Sequence, residues 1–124
     1  MNIAGIVGHA AIVHSSGYVI EASASGVGWG KNTWYQKTHC RAGVIRSLSA
    51  SKRSAAAEKC RSWLKKPYNW NFWNTSTRAK FYCSQLVYAG YIDTSKYNLN
   101  SDGGIVFPSE LISNSGVSVV YRKG

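Results

Sequence analysis

Two β-rich segments, residues 9–14 and 18–22, flank Ser15-Ser16-Gly17 and constrain this chain more than any other feature. The pattern is that of an antiparallel hairpin with a three-residue loop, Gly17 supplying the left-handed position. Such a loop pairs His14 with Tyr18 and therefore places Ala11 opposite Glu21. Side chains alternate along a strand, so His9 shares the face of Ala11 and becomes a diagonal neighbour of Glu21. Diagonal neighbours sit ~7–8 Å apart, within reach of a long side chain. His14 is five residues from His9 and points to the opposite face, which excludes a His9/His14 metal pair in a regular strand. A loop of two or four residues would turn Glu21 away from His9, so the whole inference rests on register.

The rest of the chain reads as one domain, 1–124, because 124 residues build one hydrophobic core and not two. Residues 23–40, rich in Gly, Ser and Asn, read as a loop. Residues 41–47 form a third strand candidate. The stretch 49–65 is helical by content, with Ala55, Ala56, Cys60, Trp63 and Leu64 at helical spacings, and Pro67 stops it. Residues 68–76, YNWNFWNTS, form an aromatic, Asn-rich connection. A second, mostly buried helix is expected over 81–92, a loop over 98–104, a short helix opened by Pro108, and a closing strand over 117–121. The order β-β-β-α-α-β implies an α+β fold, an antiparallel sheet packed against helices.

Charge and composition narrow the chemistry. Fifteen Lys and Arg against five Asp and Glu give a net charge of +10, which points to an anionic partner. Apolar runs are too short to span a membrane. The first residues lack the basic region of an intact signal peptide. Only three His, three Cys and five acids are available, so any acid–base or nucleophilic mechanism must be assembled from eleven side chains. No C-x-x-C or H-E-x-x-H appears, and neither a metal nor another cofactor is expected. Gly26-x-Gly28-x-Gly30 lacks a following helix and does not make a nucleotide fingerprint. Ser49-x-x-Lys52 and Ser62-x-x-Lys65 match a Ser/Lys hydrolase spacing by chance.

Cys83 opens an apolar run, CSQLVYAGYI, after the polar stretch NTSTRAK. A helix beginning near Tyr82 would put the thiol in its first turn, where the dipole and free amides favour a thiolate. A neutral imidazole could take the thiol proton and a carboxylate could orient that imidazole. Cys83, His9 and Glu21 offer these three chemistries. Cys40 and Cys60 could pair as a disulfide or both stay reduced, Cys60 lying on the apolar stripe with Trp63 and Leu64.

The segments GHAAIV and GYVIEA, then PYNWNF, FYCSQLVYAGY and the late GIVFPSEL resemble the circularly permuted papain-like cysteine hydrolases, specifically the YiiX/YebB-like branch of the NlpC superfamily. In that branch the His-bearing strand precedes the Cys-bearing helix. The resemblance covers roughly residues 9–111. It implies a permuted papain-like fold with Cys83 as nucleophile, His9 as general base and Glu21 as the orienting residue. The oxyanion would be held by the backbone N–H of Cys83 and a second donor that the sequence does not place. The family has a Gly-Asp-containing strand before the His strand, and the eight residues ahead of His9 are expected to be too few for that whole element.

Tyr68, Trp70 and Tyr82 are candidates for the substrate groove, although an aromatic segment of this kind serves core packing comparably often. The basic residues concentrate in 31–80, notably Lys52, Arg53, Lys59, Arg61, Lys65 and Lys66, either as a solvated helix face or as an attraction for anionic polymer or lipid headgroups. Three functions compete. The first is a thiol hydrolase cutting an amide bond in peptidoglycan stem peptides, and the second is the same machinery on lipid esters or amides. The third, a non-catalytic basic module for nucleic acid or wall polymer, leaves the Cys83/His9/Glu21 constellation unexplained. A secreted or envelope location is expected, with a cytoplasmic or delivered-toxin role as alternatives.

Overall fold

The hairpin is formed in the expected register, and a sheet grows on both sides of it. A computed structural model of the protein describes residues 3–6, 9–36, 39–100 and 102–123. Positions 37 and 38 of the first expected loop and 101 of the second lie outside the described residues. The strands are β1 (Ile3–Ile6), β2 (His9–Ser15), β3 (Tyr18–Ser23), β4 (Gly26–Lys31), β5 (Cys40–Ile45) and β6 (Val117–Lys123). The helices are α1 (Ala50–Arg61), α2 (Cys83–Ser95) and α3 (Pro108–Ser113), with a 3-10 turn at Trp34–Gln36. The strands are arranged β4-β3-β2-β1-β5-β6, with antiparallel neighbours throughout.

Ile12 pairs with Ile20 and Val13 with Val19, the register inferred from the loop length. The tip differs in detail. Ser15 pairs with Tyr18 across a two-residue turn, and the register shifts between Val13 and Ser15. That irregularity absorbs the extra residue, so the offset matches that of a three-residue loop. Gly17 is therefore not left-handed; among the described glycines, Gly26 and Gly103 have positive φ.

α2 runs Cys83–Ser95 instead of the expected 81–92, and three larger departures stand out. β4 lies inside the stretch expected to be loop, because its Gly-x-Gly pattern carries no strand signal of its own and it is held by pairing with β3. A strand does precede β2: Ile3–Ile6 pairs with β2 on one side and β5 on the other, so a short form of the element expected to be missing joins the two halves of the sheet. α1 ends at Arg61 instead of reaching residue 65. There the Lys65 N–H donates to the Val27 carbonyl and the Val27 N–H to the Lys66 carbonyl, drawing the chain onto β4.

Alternation along the strands makes two cores. Ala10, Ile12, Ile20, Ala22, Val27 and Ile45 face the helices and pack with Cys60, Leu86, Val87 and Tyr91. Ala11, Val19, Trp34 and Cys40, with Val13 beside them, form a smaller cluster on the opposite face. Cys40 and Cys60 consequently lie in separate cores, and all three cysteines are free thiols. His14 also takes the helix face, bonding Glu58 of α1.

Candidate active site

The site forms where α2 begins over the start of β2. α2 starts one residue after Tyr82, so Cys83 is its first helical residue, as the sequence pattern suggested. Its start is fixed by Gln85, whose Oε1 accepts from the Tyr82 backbone N–H at 2.9 Å and from Asn69 Nδ2 at 3.0 Å. Gln85 Nε2 donates in turn to the carbonyls of Thr77 and Lys80. Asn69 and Gln85 are fully buried, and each polar group that they hide has a partner.

His9 and Glu21 meet on one sheet face. His9 Nε2 lies 2.7 Å from Glu21 Oε1, with both side chains partly exposed. The His9 ring stacks on buried Trp34 with centroids 5.6 Å apart and planes 19° from parallel. His9 also bonds the Cys83 side chain. With Nε2 committed to the carboxylate, Nδ1 is the nitrogen left to face the sulfur. The three residues singled out in the sequence are thus brought together.

Electrostatics follow from these contacts. The hydrogen bonds to Cys83 and then to Glu21, aided by both negative charges and opposed by burial, push the His9 pKa up to about 9. Burial alone would raise the Cys83 thiol. The hydrogen bond and charge of His9, with the backbone amides of Ala10 and Ser84, outweigh it and hold the thiol below its ordinary value. Both shifts favour a thiolate–imidazolium pair over the neutral thiol and imidazole. By contrast, burial pushes the Cys60 thiol far up, leaving it inert.

The remaining candidates separate. Residues 67–69 pair with Phe81: the Phe81 N–H donates to the Pro67 carbonyl and the Asn69 N–H to the Phe81 carbonyl. This bridge delivers the half-buried Tyr68, whose hydroxyl oxygen accepts from the Cys83 backbone N–H. Trp70 is exposed and packs on Tyr68 at 4.5 Å. Tyr82 is buried instead, its hydroxyl oxygen accepting from the Val106 N–H, so it braces the loop after α2 and offers no open wall. Ser84 Oγ donates to the carbonyl of the same residue.

Several contributors carried no sequence signal. Trp34 sat in an apparent loop, and the Ala10 amide is backbone. Gly30 matters because a β-carbon there would overlap Glu21 Oε2, so the Gly-x-Gly pattern clears space for a carboxylate. The two Ser-x-x-Lys spacings are structural: Ser49 Oγ caps α1 by accepting from the Lys52 N–H, and Ser62 Oγ donates to the Lys59 carbonyl. Among the described residues, no group of three His, Cys, Asp or Glu is gathered to hold a metal.

Comparison with known proteins agrees with this fold. The profile of the permuted papain-like amidase enzymes, the YaeF/YiiX or C92 family, matches residues 3–107. The chain belongs to this family. It is therefore a cysteine-hydrolase-type enzyme with a permuted papain-like α+β fold. The C92 match includes β1 and extends through Phe107, so all three candidate catalytic residues lie within it. Among solved structures, the crystal structure of yiiX from Escherichia coli O157:H7, described as a metalloprotein, superposes with a TM-score of 0.78. It is 14% identical, over 98% of this chain and 96% of that one, and so supports the fold alone. No curated protein sequence matches.

Proposed function

We propose that this C92 enzyme hydrolyses an amide bond through a thioester on Cys83, and that peptidoglycan stem peptides are its substrates. The observation that carries the catalytic part is the unbroken chain from the Glu21 carboxylate through His9 to the Cys83 sulfur. The thiolate attacks the carbonyl carbon, and the displaced electron pair moves onto oxygen. The Cys83 N–H and the Tyr68 hydroxyl, which meet in the free enzyme, receive that oxyanion between them. Collapse expels the amine, which takes the proton from imidazolium His9. Neutral His9 then accepts a proton from water as it attacks the thioester, and the acid product leaves with thiolate and imidazolium restored. Glu21 keeps the ring oriented and supports its positive form.

The +10 charge suits an anionic wall polymer, and an envelope location would fit that substrate. A second reading, hydrolysis of lipid esters or amides, draws support from the exposed aromatic side chains beside Cys83. A nucleic-acid module has less in its favour, since it uses none of the buried pair chemistry. The test is release of new amino groups from purified peptidoglycan, compared between wild type and Cys83→Ala. Release by wild type alone supports the proposal. Equal release by both would remove Cys83 as nucleophile, and release of fatty acid from lipid with none from peptidoglycan would reassign the substrate.

A further inference from the structure

Four aromatic side chains stand exposed around the start of α2: Trp70 at 68%, Phe72 at 40%, Trp73 at 75% and Phe107 at 53%. They form a connected rim. Trp70 packs on Tyr68, and Phe72 sets its edge against Tyr82 at 5.2 Å. A β-carbon on Gly104 would touch the Trp73 ring at 3.8 Å, which brings the 102–107 segment alongside. Phe107 follows Val106, whose N–H is bonded to the Tyr82 hydroxyl. Tyr68 and Tyr82 in turn flank Cys83.

This exposure is built in. The Asn69–Gln85 network and the bidentate Arg78–Asp93 pair hold the loop in one shape while its rings point outward. A rigid loop presenting large apolar rings loses little conformational freedom on docking. Contiguous exposed aromatic surface of this kind marks an interaction site.

Charge selects the partner. From Lys59 to Ile92 the sequence has six Lys and Arg and no Asp or Glu. Arg78 is occupied by Asp93, whereas Lys65 and Lys66 are exposed just before the aromatic loop. Two acids come near the rim: the Asp102 carboxylate accepts from the Gly104 N–H, and Glu110 lies one turn after Phe107, its backbone N–H donating to the Phe107 carbonyl. A sugar platform would need acceptors for hydroxyl groups beside flat Trp faces. Phe72 and Phe107 offer no hydrogen bonds, and the 59–92 stretch has no carboxylate.

We infer that the rim is a docking surface for an anionic lipid bilayer. Trp70, Phe72, Trp73 and Phe107 enter the headgroup level, Lys65 and Lys66 meet lipid phosphates, and Cys83 faces the membrane. Trp rings favour that depth, and basic side chains add attraction that salt weakens. Two weak signals together give stable attachment where either alone is marginal.

Sedimentation of the full chain with vesicles tests this without turnover, so its outcome is separate from the catalytic reading. Binding is expected to mixed phosphatidylcholine–phosphatidylglycerol vesicles, to be weaker on pure phosphatidylcholine, and to fall with salt. The double variant Trp70→Ala/Trp73→Ala, checked for fold by circular dichroism, is expected to lose affinity about tenfold or more. Lys65→Gln/Lys66→Gln is expected to lose about tenfold, and only on the anionic vesicles. A blue shift of Trp emission on vesicle addition should vanish in the Trp variant. Absence of vesicle binding, or binding that the Trp variant leaves intact, overturns the proposal. So does Trp-dependent pelleting with insoluble peptidoglycan when vesicles bind nothing, which would make the rim a glycan platform.

Discussion

Gly30 leaves open the space that the Glu21 carboxylate occupies: a β-carbon at position 30 would overlap Oε2 and lie 3.0 Å from Cδ. The other carboxylate oxygen holds His9, so crowding at position 30 is transmitted to the imidazole. Gly30→Ala is expected to cut kcat/KM about a hundredfold, the scale of a small misplacement in a catalytic array. In the same variant the His9 pKa should fall from about 9 toward its ordinary value, because one of its two hydrogen bonds is weakened. Gly28→Ala is the control, since nothing lies within 4 Å of a β-carbon there. Activity and an NMR titration of His9 check both statements, and an unimpaired Gly30→Ala enzyme would refute the positioning role.

Tyr68→Phe removes a hydroxyl that meets the Cys83 backbone N–H. If that hydroxyl stabilises the oxyanion, kcat should drop about a hundredfold with little change in KM. Alkylation of Cys83 should persist, because the ion pair with His9 is untouched. A rise in KM with kcat preserved would instead place Tyr68 in ground-state binding.

Gln85→Leu tests the scaffold under the nucleophile. It deprives the Tyr82 N–H and the Asn69 amide of an acceptor, and the Thr77 and Lys80 carbonyls of a donor. Leaving such groups buried and unpaired costs about 3 kcal/mol in total, which for a chain of this size corresponds to a fall in Tm of roughly 10 °C. Calorimetry measures it directly, and an unchanged Tm would show that the network bears no such load.

Two local rules placed the candidate residues on their elements, and the resemblance to the permuted papain-like hydrolases, not any local pattern, linked Cys83 to His9 and Glu21. Alternation and loop length put His9 beside Glu21, and a helix start after a polar run put Cys83 at its first position. The hairpin reached that register by another route, a two-residue turn with an irregularity at His14, which has the same offset. Non-local contacts were not legible. β4 is a strand by virtue of pairing with β3, since glycines carry no strand preference. α1 stops early because Val27 captures the backbone of Lys65 and Lys66. Tyr68 reaches Cys83 through the bridge between residues 68 and 81, a pairing that neither segment signals by itself.

Stabilisation of the Cys83 thiolate by His9 is the central claim, and iodoacetamide alkylation against pH, read by peptide mapping, addresses it most directly. The lowered Cys83 pKa means that thiolate is present below the ordinary thiol value of about 8.5. Cys83 should therefore label at lower pH than an ordinary thiol, while Cys60, deep in the core with its thiol pushed up, stays unlabelled in the folded protein. His9→Ala should move the Cys83 profile up toward the ordinary thiol range, because the hydrogen bond and charge that favour the thiolate are gone. A wild-type profile that rises only near pH ~8.5, unchanged in His9→Ala, would contradict the account.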